Sequence, residues 1–269
     1  MMERQESAEL RALSKMALSG RTAGATDMEH LENPAAAFNY IRIANLVETY
    51  VESGRIHPPI LDWGCGYGQV SWLLQRRGIS VVSCDVMERP ARQGIEALSQ
   101  MSIEYLRDPV SLPYESGTFD AVLSVGVLEH VADIGASLAE VNRVLRPAGL
   151  FFVFMLPNRF SWAEFVADLR GNSAHPWKCT FRGIDGLFER YFFSVAKKWR
   201  RNFLPRNLTG LSASVKMAYG KFYKQIEPID AMLANHAPTS FFSGVIELVA
   251  TKTKSLTCPL PVVSGQGAT

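Results

Sequence analysis

The sequence predicts an α/β fold built on a doubly wound, mostly parallel sheet with helices on both faces. Three observations carry that expectation. Ile60–Val70 reads as a buried strand running into a glycine-punctuated turn that opens a helix. From Ile60 to Pro157, short apolar runs rich in β-branched residues alternate with stretches of helical apolar spacing. The second strand ends on an acid, Asp85, at the distance beyond the glycines where a ribose-binding carboxylate stands in nucleotide-binding sheets. With 269 residues and 47% hydrophobic content, the chain can bury one substantial core, so a single domain with extensions is expected.

Each element follows from local residues. Gly64, Gly66 and Gly68 stand at alternate positions, which lets the backbone turn with positive φ and approach a ligand while the next helix presents unpaired N–H groups. Gln69 stands where a dinucleotide fingerprint needs its third glycine, and Asp62 would repel a pyrophosphate. A cationic amino-acid end would be welcomed by Asp62 instead. Val70–Leu74 has helical spacing and exits at Arg77-Gly78, and Ile79–Cys84 forms the second strand. Asp85 reads either as an acceptor for ribose hydroxyls or as a helix N-cap. Ile103–Leu106 leads into Arg107–Tyr114 and the turn Glu115–Thr118. A strand from Phe119 then delivers Gly126, after which a helix is expected to begin with Glu129 and His130 and to run to Leu145. The turn Arg146-Pro147-Ala148-Gly149 tolerates its alanine if φ is negative there. Leu150–Met155 and Val245–Thr251 complete the strands.

The run from Asp62 to Gly68 resembles motif I of the class I S-adenosylmethionine-dependent methyltransferases. Phe119–Val131, with Phe119-Asp120-Ala121-Val122 and Leu128-Glu129-His130-Val131, resembles the small-molecule branch typified by ubiquinone and menaquinone biosynthesis methyltransferases. The resemblance covers residues 60–157. It implies a Rossmann-like seven-stranded sheet whose last strand is antiparallel, and S-adenosyl-L-methionine as cofactor. By the same resemblance Asp85 receives the ribose hydroxyls and Asp108 the adenine amino group, whereas Pro109 departs from the pattern because it has no N–H to offer. The implied cofactor surface is Asp62, Gly64, Cys65, Gly66 and Gly68 in the first turn, Asp85 and Val86, Asp108 and Pro109, and Ser124 with Val125. Cys65 is expected to fill space. In related enzymes a helix like the one opened by Pro34 closes over the amino-acid end of the cofactor. Tyr40 or Arg42 would then meet the methionyl carboxylate, the other reading of Arg42 being a solvent-exposed arginine on a packed helix.

On the acceptor side, His130 and His175 are the candidate bases, each also open to a packing or capping role. Some ubiquinone-pathway O-methyltransferases carry a further acid three residues before the glutamate matched by Glu129, which helps hold a divalent metal. Gly126 stands there, so no metal is expected. The insertions 158–180 and 200–243 are expected to form the substrate wall and a mobile lid. Arg182–Arg206 is strongly basic, with Trp199 and Phe203 interleaved, and the lysine-bearing stretch Val215–Ile226 follows. A peripheral contact with anionic lipid and a solvated strand edge are its two readings.

Residues 1–33 are expected to be a flexible segment around a short helix near Ala8–Leu18, residues 34–254 the domain, and 255–269 a disordered tail. Four cysteines without a C-x-x-C pair suggest reduced thiols of a cytoplasmic protein. No apolar run has the length of a membrane span, and the net charge of +2 points to no nucleic-acid partner. The expectation is a methyltransferase acting on a small or lipid-linked metabolite at oxygen. Its competitors are a nicotinamide-dependent oxidoreductase and a catalytically silent subunit of the same fold.

Overall fold

The structure, a computed structural model, describes residues 2–171, 175, 177–206, 208 and 212–255. Cys258 and nearly all of the tail expected to be disordered lie outside the described residues.

The chain opens with α1 (Met2–Thr22), a 3-10 turn at Thr26–Glu32 and α2 (Pro34–Glu52). The alternating core follows as β1 (Ile60–Trp63), α3 (Gln69–Arg76), β2 (Val81–Asp85), α4 (Glu96–Ser99), β3 (Glu104–Tyr105), β4 (Phe119–Val125), α5 (Ile134–Val144) and β5 (Leu145–Pro157). The last third contributes α6 (Trp162–Leu169), α7 (Gly183–Arg190), β6 (Phe193–Arg201), α8 (Ala213–Lys221), α9 (Tyr223–Asn235) and β7 (Val245–Lys252). The seven strands form one sheet in the order β3-β2-β1-β4-β5-β7-β6. β7 pairs antiparallel with both β5 and β6, and the other pairs are parallel. Among the described residues, no helix is long and apolar enough to cross a membrane.

Because successive strand residues point to opposite faces, the sheet divides the core in two. Ile60, Leu123, Phe152 and Phe154 pack toward α1, α2 and α3. Leu61, Val122, Phe151 and Val153 pack toward Leu138 and Val141 of α5 and Ile184 and Phe188 of α7. Pro34 starts α2 as expected, with Asn33 capping the helix through the Ala35 N–H at 2.8 Å.

Four expectations are corrected here. Residues 1–33 are not a loose segment around a short helix: Leu13, Met16, Ala17, Met28 and Leu31 are buried in the core. Buried Glu9 of α1 takes a bidentate ion pair from Arg77 at 2.7 and 2.9 Å. The sparse apolar spacing of α1 is sufficient because a ready-made face of α2 receives it. Second, Glu129 and His130 are not helical. They lie in a turn closed by His130 N–H to Val127 O at 2.9 Å, and α5 starts only at Ile134, where Asp133 caps the Ala136 N–H at 2.9 Å. Third, Ala148 has φ +60°, a left-handed conformation that costs an alanine about 1 kcal/mol. The turn at 146–149 is absorbed as a bulge of β5, whose partners step from Phe119↔Leu145 to Ala121↔Leu150. Fourth, Arg42 is not solvent-exposed on a packed helix; its partner is buried Glu247 of β7, 2.5 Å away.

Candidate functional site

β1 delivers Asp62 fully buried, and the turn after it leaves the strand with φ of +70°, +60° and +93° at Gly64, Gly66 and Gly68. Gly64 is required twice over, since a Cβ there would also stand 2.6 Å from a methyl of Val127. The turn is fastened to the end of β2: Gly64 and Cys65 donate N–H groups to Cys84 O at 2.9 and 3.0 Å, and Gly66 N–H donates to Asp85 Oδ2 at 2.7 Å. Ser71 Oγ donates to Asp62 Oδ2 at 2.6 Å, and Ser83 Oγ to Ser71 Oγ at 2.7 Å, so the first turn of α3 and both strands share one hydrogen-bond chain. Burial raises the Asp62 pKa to about 6, with Asp85 adding to the rise. Burial likewise pushes the Cys65 thiol far up, helped by the charges of Asp62 and Asp85, which leaves it an inert filler.

Asp85 caps no helix. Its Oδ1 accepts the Met87 N–H at 2.8 Å in a local turn, and the next helical residues begin only at Pro90. Val86 and Met87 beside it are 52% and 56% exposed, an apolar shelf next to a carboxylate. Asp108 is exposed beyond β3, where Leu106 N–H reaches Asp85 O at 2.8 Å; its Oδ1 accepts the Val110 N–H, and Pro109 is exposed beside it. Ser124 is buried with an unpartnered hydroxyl at the end of β4, and Val125 is half-buried. Tyr40 lies near the start of α3, its hydroxyl 3.0 Å from His30 Nε2 and beside the Gln69 side chain. Arg42 pairs with Glu247 of β7, the strand next to β5 on the side away from β4.

Beyond β4, Gly126 takes φ +68° and the following turn brings three groups together. One donor atom each from Glu129, His130 and His175 lie within 4.8 Å of one another, and the two imidazoles are 5.6 Å apart between ring centroids. Glu129 is 2% exposed, with Oε2 unpartnered, and burial raises its pKa to about 7. His175 Nδ1 is 3.0 Å from both oxygens of Glu164, which raises its pKa. Burial and the neighbouring His175 lower that of His130. Lys178 reaches Glu164 at 3.1 Å and Asp168 at 2.8 Å. Sequence reasoning missed Glu164 because it sits three residues after Ser161, where Ser161 Oγ accepts the Glu164 N–H and the pattern reads as a capping box. Near the carboxyl end of β5, Met155 takes φ +62° within a bulge of that strand, whose partners step from Val153↔Leu248 to Leu156↔Ile246, and no sequence feature signalled it.

A magnesium ion does not fit this trio. Two imidazoles and one carboxylate make a nitrogen-rich set, whereas magnesium takes oxygen ligands, and Gly126 supplies none. The glycine turn, in contrast, fits a sulfonium nucleoside. A Cβ at Gly66 would meet nothing within 4 Å, the Asp62 carboxyl stands just ahead of the turn, and the apolar shelf at Val86 and Met87 is exposed.

Three of the seven basic residues of Arg182–Arg206 are held in internal ion pairs. Lys198 pairs with Asp185 at 2.7 Å, Arg201 with Glu227 at 2.5 Å, and buried Arg206 with Glu227 and with Asp230 at 2.9 Å. Its strand, β6, is the sheet edge.

Residues 61–153 match the family described as methyltransferase domain. The ubiquinone biosynthesis O-methyltransferase of Hahella chejuensis is 33% identical over 165 residues, covering 56% of this chain and 67% of that protein. That of Parvibaculum lavamentivorans is 31% identical over 163 residues, covering 55% of this chain and 64% of its own length. The chain thus spans about two thirds of these relatives. In fold it is similar to a putative sarcosine dimethylglycine methyltransferase from Galdieria sulphuraria, with TM-score 0.54, 13% identity, and 79% and 86% of the two chains covered. A methyltransferase from Thermotoga maritima aligns with TM-score 0.53, 15% identity, and 82% and 91% covered. With the motif residues assembled at one end of the sheet, these likenesses leave the nicotinamide alternative without support. The chain belongs to the class I S-adenosylmethionine-dependent methyltransferase family.

Proposed function

We propose that the protein transfers the methyl group of S-adenosylmethionine to an oxygen of a small or lipid-linked metabolite, with no metal required. The observation that carries the reading is that Glu129 and His130, on the loop whose Val127 lies against Gly64, are met by His175 from the loop after α6. When bound, the cofactor supplies a methyl already activated on a sulfonium, so the protein's work is alignment, exclusion of water and handling of one proton. Asp85 would accept the ribose hydroxyls, Asp62 would face the cationic end, and Val86 and Met87 would be covered by the base, with Asp108 at its edge. His175 is the base: Glu164 holds its Nδ1 proton, which leaves Nε2 to take the acceptor's hydroxyl proton as the C–O bond forms and the C–S bond breaks. His130, lowered in pKa, stays neutral beside it and can accept a second hydrogen bond. The oxygen assignment is supported by this base and by the O-methyltransferase names of the relatives.

The test is incubation of the protein with isotope-labelled methyl donor and soluble or membrane extracts, followed by mass spectrometry of methylated products. A labelled ether product that disappears with His175→Ala is expected. Donor binding without any labelled product would favour the catalytically silent subunit.

A further inference from the structure

The helix α6 is turned inside out. Its acids, Glu164 and Asp168, are engaged by His175 and Lys178 of the loop that follows, whereas Trp162, Phe165 and Leu169 are 37%, 63% and 72% exposed. Those three positions follow helical spacing and make one apolar stripe, and none of the eight residues of α6 is buried. The stripe continues onto neighbouring elements. Phe160 stacks on Phe241 at 4.4 Å, Phe241 meets Phe242 edge-on at 5.2 Å, and all three rings are between 43% and 47% exposed. Aromatic residues gathered into one uncovered surface mark an interaction site, unlike singly scattered ones.

We infer that this surface, formed by α6 and the 3-10 turn Thr239–Phe242, seats the protein on an anionic lipid surface. Charge selects that occupant. Arg159 and Arg170 are exposed at the two ends of the stripe, and neither pairs with a carboxylate among the described residues. An apolar stripe with a tryptophan, bounded by free guanidinium groups, matches an interface where acyl chains meet phosphate headgroups. Within Arg182–Arg206, Lys198, Arg201 and Arg206 are held by Asp185, Glu227 and Asp230, so those three charges are not offered to lipid. The location is also beside the acceptor side: the same helix holds His175, the proposed base, through Glu164 on its polar side. This link rests on the acceptor-side reading above, but vesicle binding is measured without methyl transfer, so either idea can fail alone.

The test uses the full chain and sedimentation with vesicles of phosphatidylcholine alone or mixed with phosphatidylglycerol. Binding to the mixed vesicles that weakens with salt is expected. The double variant Phe165→Ser and Leu169→Ser should weaken it about tenfold, while the charge variant Arg159→Glu and Arg170→Glu should remove the preference for anionic lipid. Melting temperature and adenosylmethionine affinity of both variants should match wild type, which excludes misfolding. Absence of vesicle binding at low salt overturns the inference, as does binding indifferent to the serine pair. A dimer in sedimentation velocity that the serine pair dissolves would also overturn it, by assigning the surface to a second copy of the chain.

Discussion

Asp85 Oδ2 accepts the backbone N–H of Gly66 at 2.7 Å, joining the end of β2 to the middle of the glycine turn. The same carboxylate is therefore both a candidate ribose ligand and the clasp of the loop. Asp85→Ala should weaken adenosylmethionine binding at least about tenfold, from the loss of charge-assisted bonds worth roughly 1.5–3 kcal/mol each. Calorimetry on the folded variant checks this. Unchanged affinity would reduce Asp85 to a structural turn residue.

Glu129 gives a pH-dependent prediction. Its pKa is raised from 4.5 to about 7 in the folded protein, so the native state holds a proton that the unfolded state releases. Stability should fall as pH rises from about 4.5 through 7, by up to about 3 kcal/mol. Glu129→Gln should therefore raise the urea midpoint at pH 8 and leave it nearly unchanged at pH 4. Equal effects at both pH values would show that the carboxyl is not buried as a neutral acid.

A nitrogen-rich donor set and a glycine at 126 argue against magnesium. Methyl transfer to the acceptor found by labelling should persist in EDTA. Loss of turnover in chelator, with recovery on adding magnesium, would sink the metal-free mechanism.

The expected mobile lid is anchored at one end. Asp230 is fully buried and accepts the Asn202 and Leu204 N–H groups at 3.1 and 2.7 Å, besides pairing with Arg206. Asp230→Ala leaves a buried guanidinium short of a counter-charge and should cost about 3 kcal/mol. Donor affinity should stay within a few-fold. A loss below about 1 kcal/mol would mean Arg206 finds water instead. The same network makes wholesale deletion of the 211–237 stretch a poor test of the lid, because Glu227 and Asp230 would go with it.

Much of the fold and of the cofactor side was written locally. A strand, alternate glycines and a helix impose one backbone path at 60–76, and β-branched runs of strand length admit few other roles, so Asp62, Gly64 and Asp85 were legible residue by residue. The acceptor side was not, because its chemistry comes from pairs distant in sequence. Nothing local brings His175 to His130, or tells that Glu164 serves an imidazole as well as starting a helix. Periodicity shows that α6 has an apolar stripe but not which way it faces, and only the engagement of Glu164 and Asp168 turns that stripe outward. Charge counting could not show that Lys198, Arg201 and Arg206 of the basic segment would be set against Asp185, Glu227 and Asp230. What the sequence by itself determined were features carried by backbone conformation and short-range pattern; tertiary packing alone decided which charges are neutralised and which apolar faces stay uncovered, since both depend on partners that chain order does not reveal.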